Sequence, residues 1–123
     1  MAKVGPEKKR ELRTRMPDIV DMDFYLGQAC LKCPFCGFQC NHPTRVRVVQ
    51  KPLAVDVTAD NVVVREGEVA GYGRGSTIEL EFYCENGHLW TLQMHFHKGV
   101  VFLEAIGKEV DLLDPVPKEF WRD

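Results

Sequence analysis

The chain contains no apolar run approaching the ~18 residues that a membrane-crossing helix needs. Its charged start has no apolar segment behind it, so the expectation is no signal peptide, no membrane partner and a cytoplasmic location. Serine is almost missing. Ser76 is the only one, and no Gly-x-Ser-x-Gly surrounds it, which removes the usual setting of an activated serine. No Walker-type phosphate loop is present, although residues 65–77 hold four glycines and read as a flexible loop. The net charge of −2 leaves no excess of one sign that would bind a polyanion by charge alone. Five cysteines is an odd count, which fits a reducing interior better than a disulfide framework.

Two short stretches organise what is there: Cys33-Pro34-Phe35-Cys36-Gly37 and Cys84-Glu85-Asn86-Gly87-His88. Cys-x-x-Cys places two sulfurs on one ion through a tight turn. Pro34 fixes its own φ, and Gly37 can adopt φ > 0 just past the second sulfur. Cys84 and His88 repeat the logic with a longer gap that the reach of an imidazole compensates, across an Asn-Gly turn signal. Cys3His is a common structural zinc set, so Cys33, Cys36, Cys84 and His88 are the expected ligands of one zinc ion. A redox dithiol would open a helix after a strand, whereas Gly37 and a Pro- and Asn-containing stretch follow here. Cys40 and His42 compete for the same role: Cys40 could replace a ligand and His42 could replace His88.

Cys-Pro-x-Cys-Gly followed by a strand ending in Cys84 and then Gly87-His88 resembles the zinc-ribbon (rubredoxin-like knuckle) superfamily. Arg74-Gly75-Ser76, then Ile78 to Glu85, then His97-Lys98-Gly99 is similar to small uncharacterised zinc-ribbon proteins of bacteriophages and bacteria, over residues 33–106. The resemblance implies a β-rich, metal-stapled domain with no assigned catalytic residues. A minimal ribbon separates its knuckles by about 15–20 residues. This chain has 47 between Cys36 and Cys84, which argues for extra strands between them.

The expected fold is therefore mainly β: an antiparallel zinc-ribbon-like sheet with a long inter-knuckle insertion and one or two short N-terminal helices. Residues 1–27 form a basic helical extension, 28–107 the β domain and 108–123 an acidic, Pro-containing tail. Pro6 to Arg15 reads as a polar helix opened by proline. Asp18 caps a second, with Ile19, Met22 and Leu26 at helical spacing and Gly27 as its stop; Phe24 and Tyr25 break that pattern and leave an extended segment as the alternative. Residues 45–48 alternate as a half-buried strand. Residues 55–57 and 62–64 flank a turn and predict a hairpin. Residues 78–84, 89–97 and 100–106 predict an antiparallel meander holding most of the core.

Three kinds of function remain open. Lys8, Lys9, Arg10 and Arg13 make the start basic, and Arg45, Arg47, Tyr83, His95, His97 and Lys98 mix basic and aromatic groups on strand positions. That mixture favours a nucleic-acid or transcription-associated binding module, although Glu79 and Glu81 would repel phosphate. A protein–protein adaptor, phage-encoded and host-directed in the sense of the resemblance, is the alternative, with Tyr72 or Trp121 as an anchor. A metal-dependent enzyme would use His95 and His97 on a second ion, but four protein ligands leave the first ion no open position.

Overall fold

A computed structural model describes residues 11–66, 75–110 and 118–120. Nine strands and no helix occur among them: β1 (Glu11–Thr14), β2 (Val20–Met22), β3 (Ala29–Leu31), β4 (Asn41–Gln50), β5 (Leu53–Val57), β6 (Val62–Glu66), β7 (Thr77–Cys84), β8 (His88–His97) and β9 (Val100–Glu109). Seven form one antiparallel sheet in the order β1-β9-β8-β7-β4-β5-β6, and β2 and β3 form a separate two-stranded ribbon. No helix among the described residues is long and apolar enough to cross a membrane.

The meander of β7, β8 and β9 and the hairpin of β5 and β6 form where the alternating patterns place them. The turn between β8 and β9 is Lys98-Gly99, with φ of 50° and 79°. Positive φ at both central residues matches the right-handed twist of the strands it joins. The insertion between the knuckles is β4, β5 and β6, and β4 pairs with β7 to extend the meander.

The N-terminal helices are the correction. Glu11 to Thr14 is a strand on the edge of β9, in register Glu11↔Lys108 to Thr14↔Ala105. A short polar helix has few internal bonds and a costly nucleus, whereas a strand laid on an open sheet edge gains a ladder at once. Residues 6–10 of that expected helix lie outside the described residues. The second expected helix is replaced by β2, a tight turn and β3. Asp23 caps that turn rather than Asp18 a helix: its carboxylate accepts from the backbone N–H of Tyr25 (3.1 Å) and Leu26 (2.6 Å), and Gly27 takes φ of 65°. Ile19 packs on the core, whereas Met22 and Leu26 are exposed.

Cross-strand register sorts the large sheet into two unlike faces. On one face, row after row is apolar: Ala105, Leu92, Leu80, Val46, Val57 and Val62 lie side by side across β9, β8, β7, β4, β5 and β6. On the other, Glu104, Gln93, Glu79, Arg47 and Asp56 line up. The core occupies only the knuckle end of the apolar face. Trp90, Phe82, Leu92, Ala105, Cys33 and Cys84 are buried there, with Ile19, Leu31, Phe35 and Leu80 packed against them. The Trp90 and Phe82 rings stack at 4.8 Å, and the Trp90 indole N–H donates to the side-chain oxygen of Asn41 (3.0 Å).

Candidate metal centre

The end of the sheet where β7 turns into β8 carries the second knuckle, and register there sets Cys84 opposite His88. The first knuckle lies between β3 and β4 and folds onto the same end. Its turn is closed by Gly37 N–H to Cys33 C=O (2.8 Å) and Cys33 N–H to Phe38 C=O (2.9 Å), with Gly37 at φ 80° as its position predicted. Asn41 fastens this loop to the sheet. Its amide donates to the Phe38 carbonyl (2.9 Å) while its oxygen accepts from Trp90. The backbone N–H of Glu85 donates to the Cys40 carbonyl (3.2 Å), joining the two knuckles directly.

Cys33, Cys36, Cys84 and His88 are thereby brought together, with one ligand atom from each lying within 4.8 Å of the others. The sulfurs of Cys36 and Cys84 are 3.5 Å apart. A tetrahedral ion with bonds of ~2.3 Å to sulfur requires edges of about 3.8 Å, so little adjustment separates this cluster from a coordination shell. A second observation bears on the fit. Nδ1 of His88 is buried and has no hydrogen-bond partner. Buried polar atoms are rarely left unmatched, and His88 belongs to a cluster with three thiols, where a metal ion would satisfy its ring.

The surroundings suit charged sulfur as well. The Asn86 N–H lies 3.4 Å from the Cys84 sulfur, and the Asn86 amide 3.7 Å from that of Cys36. Burial pushes the Cys33 thiol up, and pushes the Cys84 thiol up to about 12. Burial acts in the same sense on Cys36, but donors from Phe38, Cys84 and Asn86 outweigh it and hold that thiol below its ordinary value. A cation among the three would stabilise all of them as thiolates.

The two competing ligands stand apart from this cluster. Cys40 is exposed and contributes its backbone. His42 places Nε2 2.6 Å from Glu85 and Nδ1 2.5 Å from Glu119. Among the described residues, no other group of His, Cys, Asp and Glu is close enough to hold a metal. His95 and His97 do share a face, with rings stacked at 6.2 Å, and His95 Nδ1 lies 3.5 Å from the Thr77 hydroxyl. Among the described residues, no third His, Cys, Asp or Glu joins them in a metal-holding group.

Arg13, Arg45, Arg47, Tyr83, His95 and His97 share the charged face of the sheet, where the three arginines meet acids. Arg13 pairs with Glu104 and Glu11. Arg45 faces Glu79 (3.8 Å) and Glu81 (3.5 Å), and Arg47 meets Asp56 at 2.6 and 3.0 Å. The Arg47 guanidinium holds the Asp56 carboxyl below the usual range. Tyr83 is half-buried on the same face, in register between His42 and Leu89, and Lys98 sits in the turn after β8. Lys8, Lys9, Arg10, Tyr72 and Trp121 lie outside the described residues.

One feature had no distinct sequence signal. The tip between β2 and β3 holds Phe24, Tyr25 and Leu26 at 88%, 89% and 75% exposure. The two rings meet edge to face at 5.5 Å. Asp23 followed by Gly27 was the available clue, since that pair closes the turn. No family model, curated protein or solved structure matches this chain.

Proposed function

We propose that this protein is a non-enzymatic zinc-binding module in which one structural zinc ion fixes a surface for a protein partner. The zinc assignment is carried by the clustering of His88 with three cysteines, and the buried, unpartnered His88 Nδ1 supports it. Sulfur-rich tetrahedral sets favour zinc over harder ions, and a fully protein-ligated ion leaves no position for water or substrate. Cys33, Cys36, Cys84 and His88 would hold the ion, which supplies cross-linking rather than chemistry. Kinship with the zinc ribbons is part of this reading, supported by the two knuckle motifs.

The choice of partner rests on the β2–β3 tip. Aromatic side chains held in one conformation before binding are the usual anchors of protein interfaces. The ribbon from Val20 to Leu31 carries Asp21 and Asp23 and no lysine or arginine, a poor setting for a phosphate backbone. Nucleic-acid binding is the second reading, and the basic segment of Lys8, Lys9, Arg10 and Arg13 favours it.

Native mass spectrometry tests the metal. One zinc per chain is expected in the wild type and in His97→Ala, and none in Cys36→Ser. A second ion lost with His97→Ala would favour an enzyme instead, and a metal-free wild type would end the zinc reading. A salt titration against labelled single- and double-stranded oligonucleotides separates the partners. Absence of binding at low salt supports the protein reading; binding that weakens steeply with salt and with removal of residues 1–15 supports nucleic acid.

A further inference from the structure

The apolar face of the large sheet continues well past the core. Beyond the row containing Leu80 and Leu92 comes Leu103, Met94, Ile78, Val48, Val55 and Val64, apolar in every strand from β9 to β6. The next row contributes Val101, Phe96 and Leu53. Much of this surface is open. Val64 is 66% exposed, Val62 62%, and Val48, Leu53, Val101 and Leu103 are exposed as well. Meanwhile Val49, Ala54, Asp56 and Thr77, which point to the charged side at this end, are buried. The exposure is thus concentrated on the side whose residues gain most from burial.

The ribbon of β2 and β3 covers only the knuckle end, through Ile19 and Leu31. The described C-terminal residues are tied elsewhere: Lys118 to Asp60 at 2.6 Å, and Phe120 N–H to the Pro43 carbonyl at 3.0 Å. Strand spacing sizes what remains. About twelve apolar positions outside the core, each about 4.8 Å by 6.8 Å, give roughly 400 Å² per chain. That is the size of the largest apolar patch on a typical monomer. Two such faces together bury about 800 Å², the range of a weak, concentration-dependent contact.

We propose that this face is covered by the same face of a second copy, giving a two-fold β-sandwich of two seven-stranded sheets. An antiparallel sheet with one apolar face needs a second layer. The patch carries no charge within its rows except Glu66 at its outer corner, and so presents nothing that would repel its own image. Identical patches meeting about a two-fold axis close on themselves and stop at the dimer. The inference goes beyond the partner-binding reading above, because it uses the opposite end of the sheet from the zinc and leaves the β2–β3 tip free.

Sedimentation velocity on the full-length, zinc-loaded protein from about 1 to 200 µM tests it. The expected result is a monomer–dimer equilibrium. The double variant Val62→Thr with Val64→Thr, nearly isosteric and compatible with strands, should weaken the dimer by about tenfold or more while zinc content and far-ultraviolet circular dichroism stay unchanged. Leu103→Asp should give monomer throughout. Phe24→Ser should leave the dimer intact. A wild type that is monomeric at every concentration overturns the proposal. So does a dimer unaffected by the Val62/Val64 pair, or one lost with Phe24→Ser, which would place the contact at the hairpin tip.

Discussion

Gly107 shows how closely single residues are fitted around the first knuckle. A Cβ there would lie 2.7 Å from the Phe35 ring and 3.0 Å from the Trp90 Cβ. Gly107→Ala should therefore cost about 1–3 kcal/mol, read as a lower melting temperature with zinc still bound. Asp56 offers a pH test. Its hydrogen bonds from Arg47 lower its carboxyl in the folded state, so its stabilising contribution is fully present above the unfolded value near 3.9. It is lost as pH falls through the lower folded value. Urea titrations from pH 6 to pH 2 should show wild-type stability falling more than that of Asp56→Asn, which should start lower by about 1–3 kcal/mol. The members of the Cys/His cluster were legible because Cys-x-x-Cys and the Asn-Gly turn are local devices. That His42 would face Glu85 and Glu119 was not, because those partners come from distant segments.

Elements with strict alternation, such as β7 and β8, could be read directly, since a period of two is a property of the strand itself. The start of the chain could not. Glu11-Leu12-Arg13-Thr14 has no strong preference of its own, and it becomes a strand because β9 has an unpaired edge to offer. The turn after β2 misled for a related reason: Ile19, Met22 and Leu26 imitate helical spacing, yet Asp23 bonds two backbone N–H groups and bends the chain first. If β1 matters as an edge cover, removing residues 1–15 should expose the β9 edge. The truncated protein should aggregate at concentrations where the full chain stays dispersed, as light scattering would show. Asp23→Ala should loosen the tip, and amide exchange of Tyr25 and Leu26 should quicken while the knuckles stay protected.

At the scale of the molecule, the two ends of the sheet are held by different means. Where the knuckles lie, a small core and the Cys/His cluster combine, and a zinc ion held there, as proposed, would contribute free energy comparable to the whole stability of a domain this size. Chelation should lower the melting temperature by about 20 °C or more. It should also speed exchange first at residues 33–38 and 84–88, before the ladder between β4 and β7 opens. The pairing of β1 with β9 has a further consequence, for synthesis. Among the described strands β1 is made first and pairs with β9 alone, which is made last. It must wait for its partner until the other described strands have been made. Closing so long a loop is slow compared with forming a local hairpin. Charged side chains such as Glu11 and Arg13 disfavour pairing of a waiting strand with a neighbouring nascent chain.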